Sequence, residues 1–237
     1  VDTALVWNFA NVNIPKTQQC LLCKQESKAL VCGYCTQDLV LFECERYNYN
    51  LLNWPKAQRG LKFLSADHVL AMADYQWPLS RLITGLKFSN KIMHANALAE
   101  LFFHHALSKN DSLPQVIIPV PLHPRRYQTR KYNQSVELGK CISALTGITL
   151  KTDLITRHKA TQTQTSLSSS QRKANMKNAF SLHRPIKFQH IAILDDVITT
   201  GATVEAIYQL IKSHNPNIQI DIWSMCLTLE HDSKPSR

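Results

Sequence analysis

Two adjacent carboxylates sit between a strand-like run and a cluster of small hydroxyl residues, and this is where the sequence is best equipped for chemistry. Ile191, Ala192, Ile193 and Leu194 read as a buried strand, and Asp195 and Asp196 follow at once. A buried strand does not tolerate two acids unless it is ending at an open edge, so the strand is predicted to stop at Leu194. Val197 and Ile198 lead to Thr199, Thr200, Gly201, Ala202 and Thr203, after which Val204, Ile207, Leu210 and Ile211 recur with helical spacing. A strand end, a tight turn and a helix start make an anion site. Backbone N–H groups of residues 200–203 can cradle a monophosphate, threonine hydroxyls add hydrogen bonds, and Gly201 permits close approach. The carboxylates can reach vicinal ribose hydroxyls or, through water, a Mg²⁺. A sugar phosphate fits this layout, whereas a free triphosphate would want the lysine of a P-loop.

A second constellation lies near the start of the chain. Cys20-x2-Cys23 and Cys32-x2-Cys35 are separated by eight residues. Two such knuckles can place four thiolates tetrahedrally around zinc without help from the rest of the chain. Gly33 is expected to ease a tight turn that lets amide N–H groups point at sulfur. A closed four-sulfur site leaves no open position for chemistry, so the zinc is read as structural. Seven cysteines without a secretory signal argue against a disulfide framework, and Cys44, Cys141 and Cys226 are read as spectators.

Composition bounds what these residues can be part of. A chain of 237 residues with 44% hydrophobic content is globular, and it has room for one core plus a small module. The longest apolar runs are strand-sized, far short of a membrane span, so no membrane insertion is expected. No signal-peptide layout is visible, which makes the cytoplasm the expected compartment. The net charge of +10 is uneven: residues 121–190 hold thirteen Lys or Arg against Glu137 and Asp153, a local +11. Such a segment attracts phosphates, on a small substrate or on a nucleic acid.

The elements that must position these groups can be read in order. Residues 43–64 form a connector with aromatic anchors, and a helical pattern runs over 75–88 with Lys87 at its end. A second helix covers about 91–107, and its adjacent His104 and His105 are read as surface or interface residues. Residues 116–120 are a strand stopped by prolines. The basic loop beyond it, with Arg125, Arg126, Tyr127, Arg130, Lys131, Tyr132, Asn133 and Gln134, runs into a helix over about 133–145. That loop can close over a diphosphate, or its tyrosines can stack on bases of a single strand. Short strands at 148–151 and 154–157, a mobile polar loop at 161–170, a short basic helix at 170–177 and an edge strand at 179–182 precede the organising stretch. A helix to about residue 213 and a final strand over 218–229 complete the chain.

The run from Ile191 through Asp195, Asp196 and Val197 to Thr203 resembles the phosphoribosyl pyrophosphate (PRPP) signature of type I phosphoribosyltransferases. Further blocks narrow the resemblance to the ComF/GntX family. These are the two Cys pairs, the block ending in Leu86-Lys87-Phe88, Pro119-Val120-Pro121-Leu122, Arg130-Lys131-Tyr132-Asn133-Gln134, Gln164 with Leu167, and 172–180. The resemblance implies an α/β fold of the type I phosphoribosyltransferase kind: a twisted, mostly parallel sheet with flanking helices. It also implies a zinc-finger module over residues 1–50 ahead of a phosphoribosyltransferase-like domain over 51–237. PRPP with Mg²⁺ would bind at Asp195, Asp196, Val197, Thr199, Thr200, Gly201, Ala202 and Thr203, with the two aspartates catalytic. The loop residues named above would hold pyrophosphate or DNA. The implied role is in natural transformation or DNA use, acting on incoming single-stranded DNA, with other DNA-uptake or recombination proteins as possible partners. Nucleobase salvage and a non-catalytic PRPP sensor are the alternatives. Purine-salvage enzymes of the superfamily carry an acid where this chain has Thr199, which disfavours the first. The family usually has glycine where this chain has Lys131, which argues against a left-handed backbone there.

Overall fold

The computed structural model describes residues 18–61, 64–88, 92–122, 124, 127, 128, 131–158 and 179–229. The predicted loop at 161–170, the basic helix at 170–177 and the arginines 125, 126 and 130 lie outside these residues.

The chain opens with a hairpin of β1 (Gln18–Gln19) and β2 (Glu26–Ser27), then a short helix α1 (Gly33–Gln37). The connector holds two single-turn helices and α2 (Pro55–Gly60), whose proline occupies the first turn, where no intrahelical N–H is needed. Strand β3 (His68–Asp74) follows, then α3 (Leu79–Phe88) and α4 (Ile92–Phe102), which ends in a π-helical turn over Phe103–Leu107. Next come β4 (Val116–Pro119), α5 (Gln134–Thr146), β5 (Thr149–Leu150), β6 (Ile155–Arg157) and β7 (Phe180–Leu182). The chain continues through β8 (His190–Ile198), α6 (Ala202–His214) and β9 (Gln219–Leu227).

Five of these strands form one parallel sheet in the order β3-β9-β8-β4-β5, and β6 pairs with β7 antiparallel beside it. The α/β class and the parallel sheet with flanking helices are therefore as expected. Near-continuous apolar runs in β3, β4, β8 and β9 reflect cover on both faces. Trp223 of β9 is fully buried, edge-on to Phe102 of α4 at 5.8 Å between ring centroids. Burial of Val204, Ile207 and Ile211 sets α6 against the sheet.

The topology creates one crevice. β4 leads through α5 to β5, while its neighbour β8 leads through α6 to β9, so the connections diverge between β4 and β8. At such a switch point the carboxyl ends of the strands are left uncovered, and helix N-termini flank the opening.

Two readings are corrected, and one strand is added to them. β8 does not stop at Leu194 but continues through both acids to Ile198, because β9 still pairs with it there, Asp195 with Ser224 and Ile198 with Leu227. On the other side β4 ends at Pro119, opposite Leu194, so the acids emerge where one neighbour has fallen away. β3 is a strand that no periodicity announced. Lys131 takes a left-handed backbone, φ 65°, without being glycine.

Gly85 fixes how closely α3 and α4 approach. A Cβ there would lie 2.1 Å from the ring of His94, which is 5% exposed and bonded through Nδ1 to the Leu82 carbonyl at 2.9 Å. The ring cannot swing away without losing that bond. Gly85→Ala is expected to lower stability by about 1–3 kcal/mol despite the gain in helix propensity, as read by urea unfolding. An unchanged midpoint would contradict this packing.

Candidate functional site

Each group of the candidate site is delivered by a different element. Asp195 and Asp196 stand at the end of β8, in the crevice. The Oδ1 atom of Asp195 accepts from the backbone N–H of Asp196 at 2.9 Å and from the Ser135 hydroxyl at 3.1 Å. Ser135 lies in the first turn of α5, capped by Asn133, whose Oδ1 accepts from the Ser135 N–H at 3.0 Å. The Asn133 amide also donates to the Val120 carbonyl at 2.9 Å, tying the helix start to the end of β4. Asp196 is 4% exposed, and its Oδ2 lies 2.7 Å from Nζ of Lys87 at the end of α3.

Burial pushes the Asp195 carboxyl up to about 7, and the charge of Asp196 adds to the shift. Lys87 and the Asp196 N–H act in the opposite direction without cancelling it. Part of Asp195 faces the crevice, but its carboxyl is enclosed by protein. Two adjacent desolvated carboxylates thus share a single lysine.

Beyond β8 the chain bends through exposed Thr199 and half-buried Thr200 to Gly201, where φ is 73°. That left-handed residue aims the chain into α6, which starts at Ala202, two residues before the expected Val204. No side chain caps this helix, so its first-turn N–H groups are left available to an anion. Ala202 and Thr203 are half-buried in that turn, and Val197 is held in β8 opposite Cys226.

The basic loop is more divided. Lys131 is exposed, and its N–H bonds the Tyr127 carbonyl at 2.6 Å. Tyr132 is half-buried against the core, with its hydroxyl on the Leu86 carbonyl, so its ring is committed to packing. Asn133 serves as the helix cap, while Gln134 is buried with its amide oxygen unpartnered. Beside the exit of β4 opens a cavity of about 470 Å³, lined by Pro119, Leu122, Tyr127, Asn133, Ile155 and Arg157 among others. Ser135 was not singled out in the sequence, where nothing distinguishes it from any serine near a helix start. Lys87 was noted only for its place at the end of a helix.

The four predicted cysteines come together, with the sulfurs of Cys20, Cys23, Cys32 and Cys35 all within 4.8 Å of one another. Cys23 and Cys32 are 3.7 Å apart, close to the ~3.8 Å edge of a tetrahedron with 2.3 Å zinc–sulfur bonds. The Cys32 N–H points at the Cys20 sulfur at 3.4 Å, and the Cys35 N–H at the Cys32 sulfur at 3.5 Å. Burial disfavours the Cys20 thiolate, but amide bonds from Cys32, Cys23 and Leu22 outweigh it and bring the thiol down to about 6. This donor set fits zinc. Gly33 opens α1 inside the second pair without a positive φ, whereas the first pair is followed by left-handed Lys24, φ 69°. Cys44 is a spectator, buried with its thiol on the Ala71 carbonyl and pushed up to about 11 by burial.

Two outcomes are expected. Purified protein should carry about one zinc per chain, and either Cys20→Ser or a strong chelator should lower its melting temperature, as followed by metal analysis and calorimetry. Asp195 ionises near 3.8 when unfolded and near 7 when folded, so the native state holds an extra proton between those values. Its stabilising effect is full below about pH 4 and lost as pH rises towards 7. Asp195→Asn should therefore gain more than about 1 kcal/mol over the parent at pH 8 and little at pH 4, read by urea unfolding at both. Equal gains at the two pH values would show that the carboxyl is not enclosed as described.

No family model matches the chain. It is 32% identical over 226 residues to Competence protein F of Haemophilus influenzae, covering 91% of this chain and 93% of that protein. It is 41% identical over 167 residues to DNA utilization protein YhgH of Shigella flexneri, covering 69% and 73% of the two chains, and 40% identical over the same length to its Escherichia coli K12 counterpart. With a relative at this identity aligned over nearly the whole of both chains, this chain belongs to the ComF family.

Proposed function

We propose that this protein is a DNA-uptake factor of the ComF type. In this reading it binds PRPP with Mg²⁺ in the β4–β8 crevice and handles incoming single-stranded DNA in the cytoplasm. The names of its relatives, Competence protein F and DNA utilization protein, support the broader role. The reading of the crevice rests on one juxtaposition: paired carboxylates at the end of β8, followed by left-handed Gly201 and the uncapped start of α6.

In this reading the N–H groups of residues 200–203 hold the 5-phosphate, with Thr199, Thr200 and Thr203 adding hydroxyls. Asp195 and Asp196 take the ribose hydroxyls once Lys87 yields Asp196. Gln134 opens α5 with its amide oxygen unpartnered, and reversing that amide would place an N–H donor there for pyrophosphate. When bound, Mg²⁺ neutralises charge on the pyrophosphate. Departure of pyrophosphate from the ribose would leave an oxocarbenium-like centre, for which the adjacent carboxylates are electrostatically suited. Thr199 leaves no acid to handle a purine proton, which sets this protein apart from purine salvage. In the module assigned to residues 1–50, the described residues 18–50 carry the zinc-binding cysteines and dock on the domain over 51–237. Support for that docking comes from the Phe42 N–H on the Met72 carbonyl at 2.8 Å and from Arg81 on the Leu22 carbonyl at 3.4 Å.

The test is calorimetric titration with PRPP and Mg²⁺, with pyrophosphate release followed in the presence and absence of single-stranded DNA. PRPP should bind, and Asp196→Asn should weaken it at least about 10-fold by removing contacts to two hydroxyls. Affinity should rise as pH passes through 7, where Asp195 ionises. Binding indifferent to both Asp196→Asn and pH would sink the crevice reading. Pyrophosphate release would make the protein a transferase, and binding without release a sensor.

A further inference from the structure

The inward turn of Tyr132 removes one of the two rings expected to stack on bases, yet the edge of the sheet carries others. Trp77 is 72% exposed and Tyr75 is 37% exposed, both in the turn that joins β3 to α3. The register aligns Asp74 with Leu227 and Leu227 with Ile198, so this turn leaves the sheet at the same edge as the paired aspartates. Two strand spacings, about 10 Å, separate β3 from β8. Lys87 bridges the gap, with Nζ 5.9 Å from the Tyr75 ring centroid and 2.7 Å from Asp196. Arg81, one helical turn beyond Trp77, is exposed and held at its guanidinium by the Leu22 carbonyl at 3.4 Å.

An exposed tryptophan beside a tyrosine is ordinarily read as a protein interface. Here the charged side chains nearest the rings are the cations Lys87, which also pairs with Asp196, and Arg81, while Asp74, the nearest acid in sequence, is 7% exposed and turned to the backbone N–H groups of Tyr75 and Leu229. Rings flanked by cations match a strand that offers stackable bases and phosphates. About 10 Å is the axial span of three stacked nucleotides at 3.4 Å each.

We propose that Tyr75 and Trp77 form a stacking platform for the bases of single-stranded DNA, whose sugar–phosphate chain then runs past Lys87 to the Asp195–Asp196 crevice. This rests on the DNA-handling reading above and assigns it a surface.

The test is fluorescence anisotropy of a labelled oligothymidylate titrated with full-length protein at several salt concentrations. Trp77→Ala should weaken binding about 10-fold while leaving the dependence of log K on log salt unchanged, and Trp77→Phe should restore most of the affinity. Arg81→Ala should instead flatten the salt dependence by about one phosphate contact. Wild-type affinity in Trp77→Ala would overturn the platform. So would a loss in Trp77→Phe as large as in Trp77→Ala, or a loss that tracks conversion of a dimer to a monomer in light scattering. Absence of wild-type binding to the oligothymidylate would sink the DNA-handling reading itself.

Discussion

The sharing of one lysine by two buried carboxylates is the constraint around which the rest of this structure is arranged. Neighbouring acids on a strand are costly to ionise together, because burial and mutual repulsion both favour protons. The cost is kept bearable by three elements remote in sequence. Lys87 arrives from the end of α3, Ser135 from the start of α5, and the continued pairing of β9 holds β8 extended past the point where β4 stops. Take away any of these and the pair would relax towards protonation or towards solvent. Carboxylates held this close are suited to a ligand that supplies hydroxyls or a cation, since such a ligand relieves their mutual repulsion.

Backbone conformation does comparable positioning at two turns flanking the crevice. Gly201 occupies the left-handed region at no steric cost and delivers the uncapped start of α6. Lys131 occupies the same region at a cost, since a side chain in left-handed geometry is disfavoured by roughly 1–2 kcal/mol. What holds it there is visible on both sides: its own N–H bonds the Tyr127 carbonyl, and the next residue, Tyr132, is pinned to the core through the Leu86 carbonyl. Leu86 directly precedes Lys87. One short stretch of α3 therefore anchors the loop through a carbonyl and serves the aspartates through the next side chain.

How far the sequence could be read follows from which interactions are local. The β8–α6 unit and the cysteine knuckles were legible because each is encoded within a few consecutive residues, whose types fix both the turn and the chemistry. β3 was not, because its apolar run over 69–73 is short, does not alternate with polar residues and fits a buried helix segment as well as a strand. The length of β8 was misjudged for the opposite reason. Two acids signal an end when judged locally, whereas strand extent is decided by the neighbour β9, which is encoded some thirty residues later. Ser135 and Lys87 were hidden because their roles depend on where α5 and α3 end in space. The left-handed position after the first cysteine pair was hidden because it falls on Lys24, which nothing in its side chain announces.

The N-terminal segment solves a problem that the sheet order creates. β3 is an edge strand with a fully apolar interior, and an uncovered edge of this kind invites pairing with other chains. The residues just after the zinc knuckle lie along it: Leu41 bridges Ala73, the Phe42 N–H bonds the Met72 carbonyl, and the Cys44 thiol donates to the Ala71 carbonyl. The Phe42 carbonyl in turn receives His105 from the π-helical turn, at 2.6 Å, so the covering segment is clamped from both sides. The same β3 continues into the turn that carries Tyr75 and Trp77. The four-cysteine cluster thus sits directly ahead of the segment that covers the edge strand, and that strand sets the aromatic turn at the level of the aspartates.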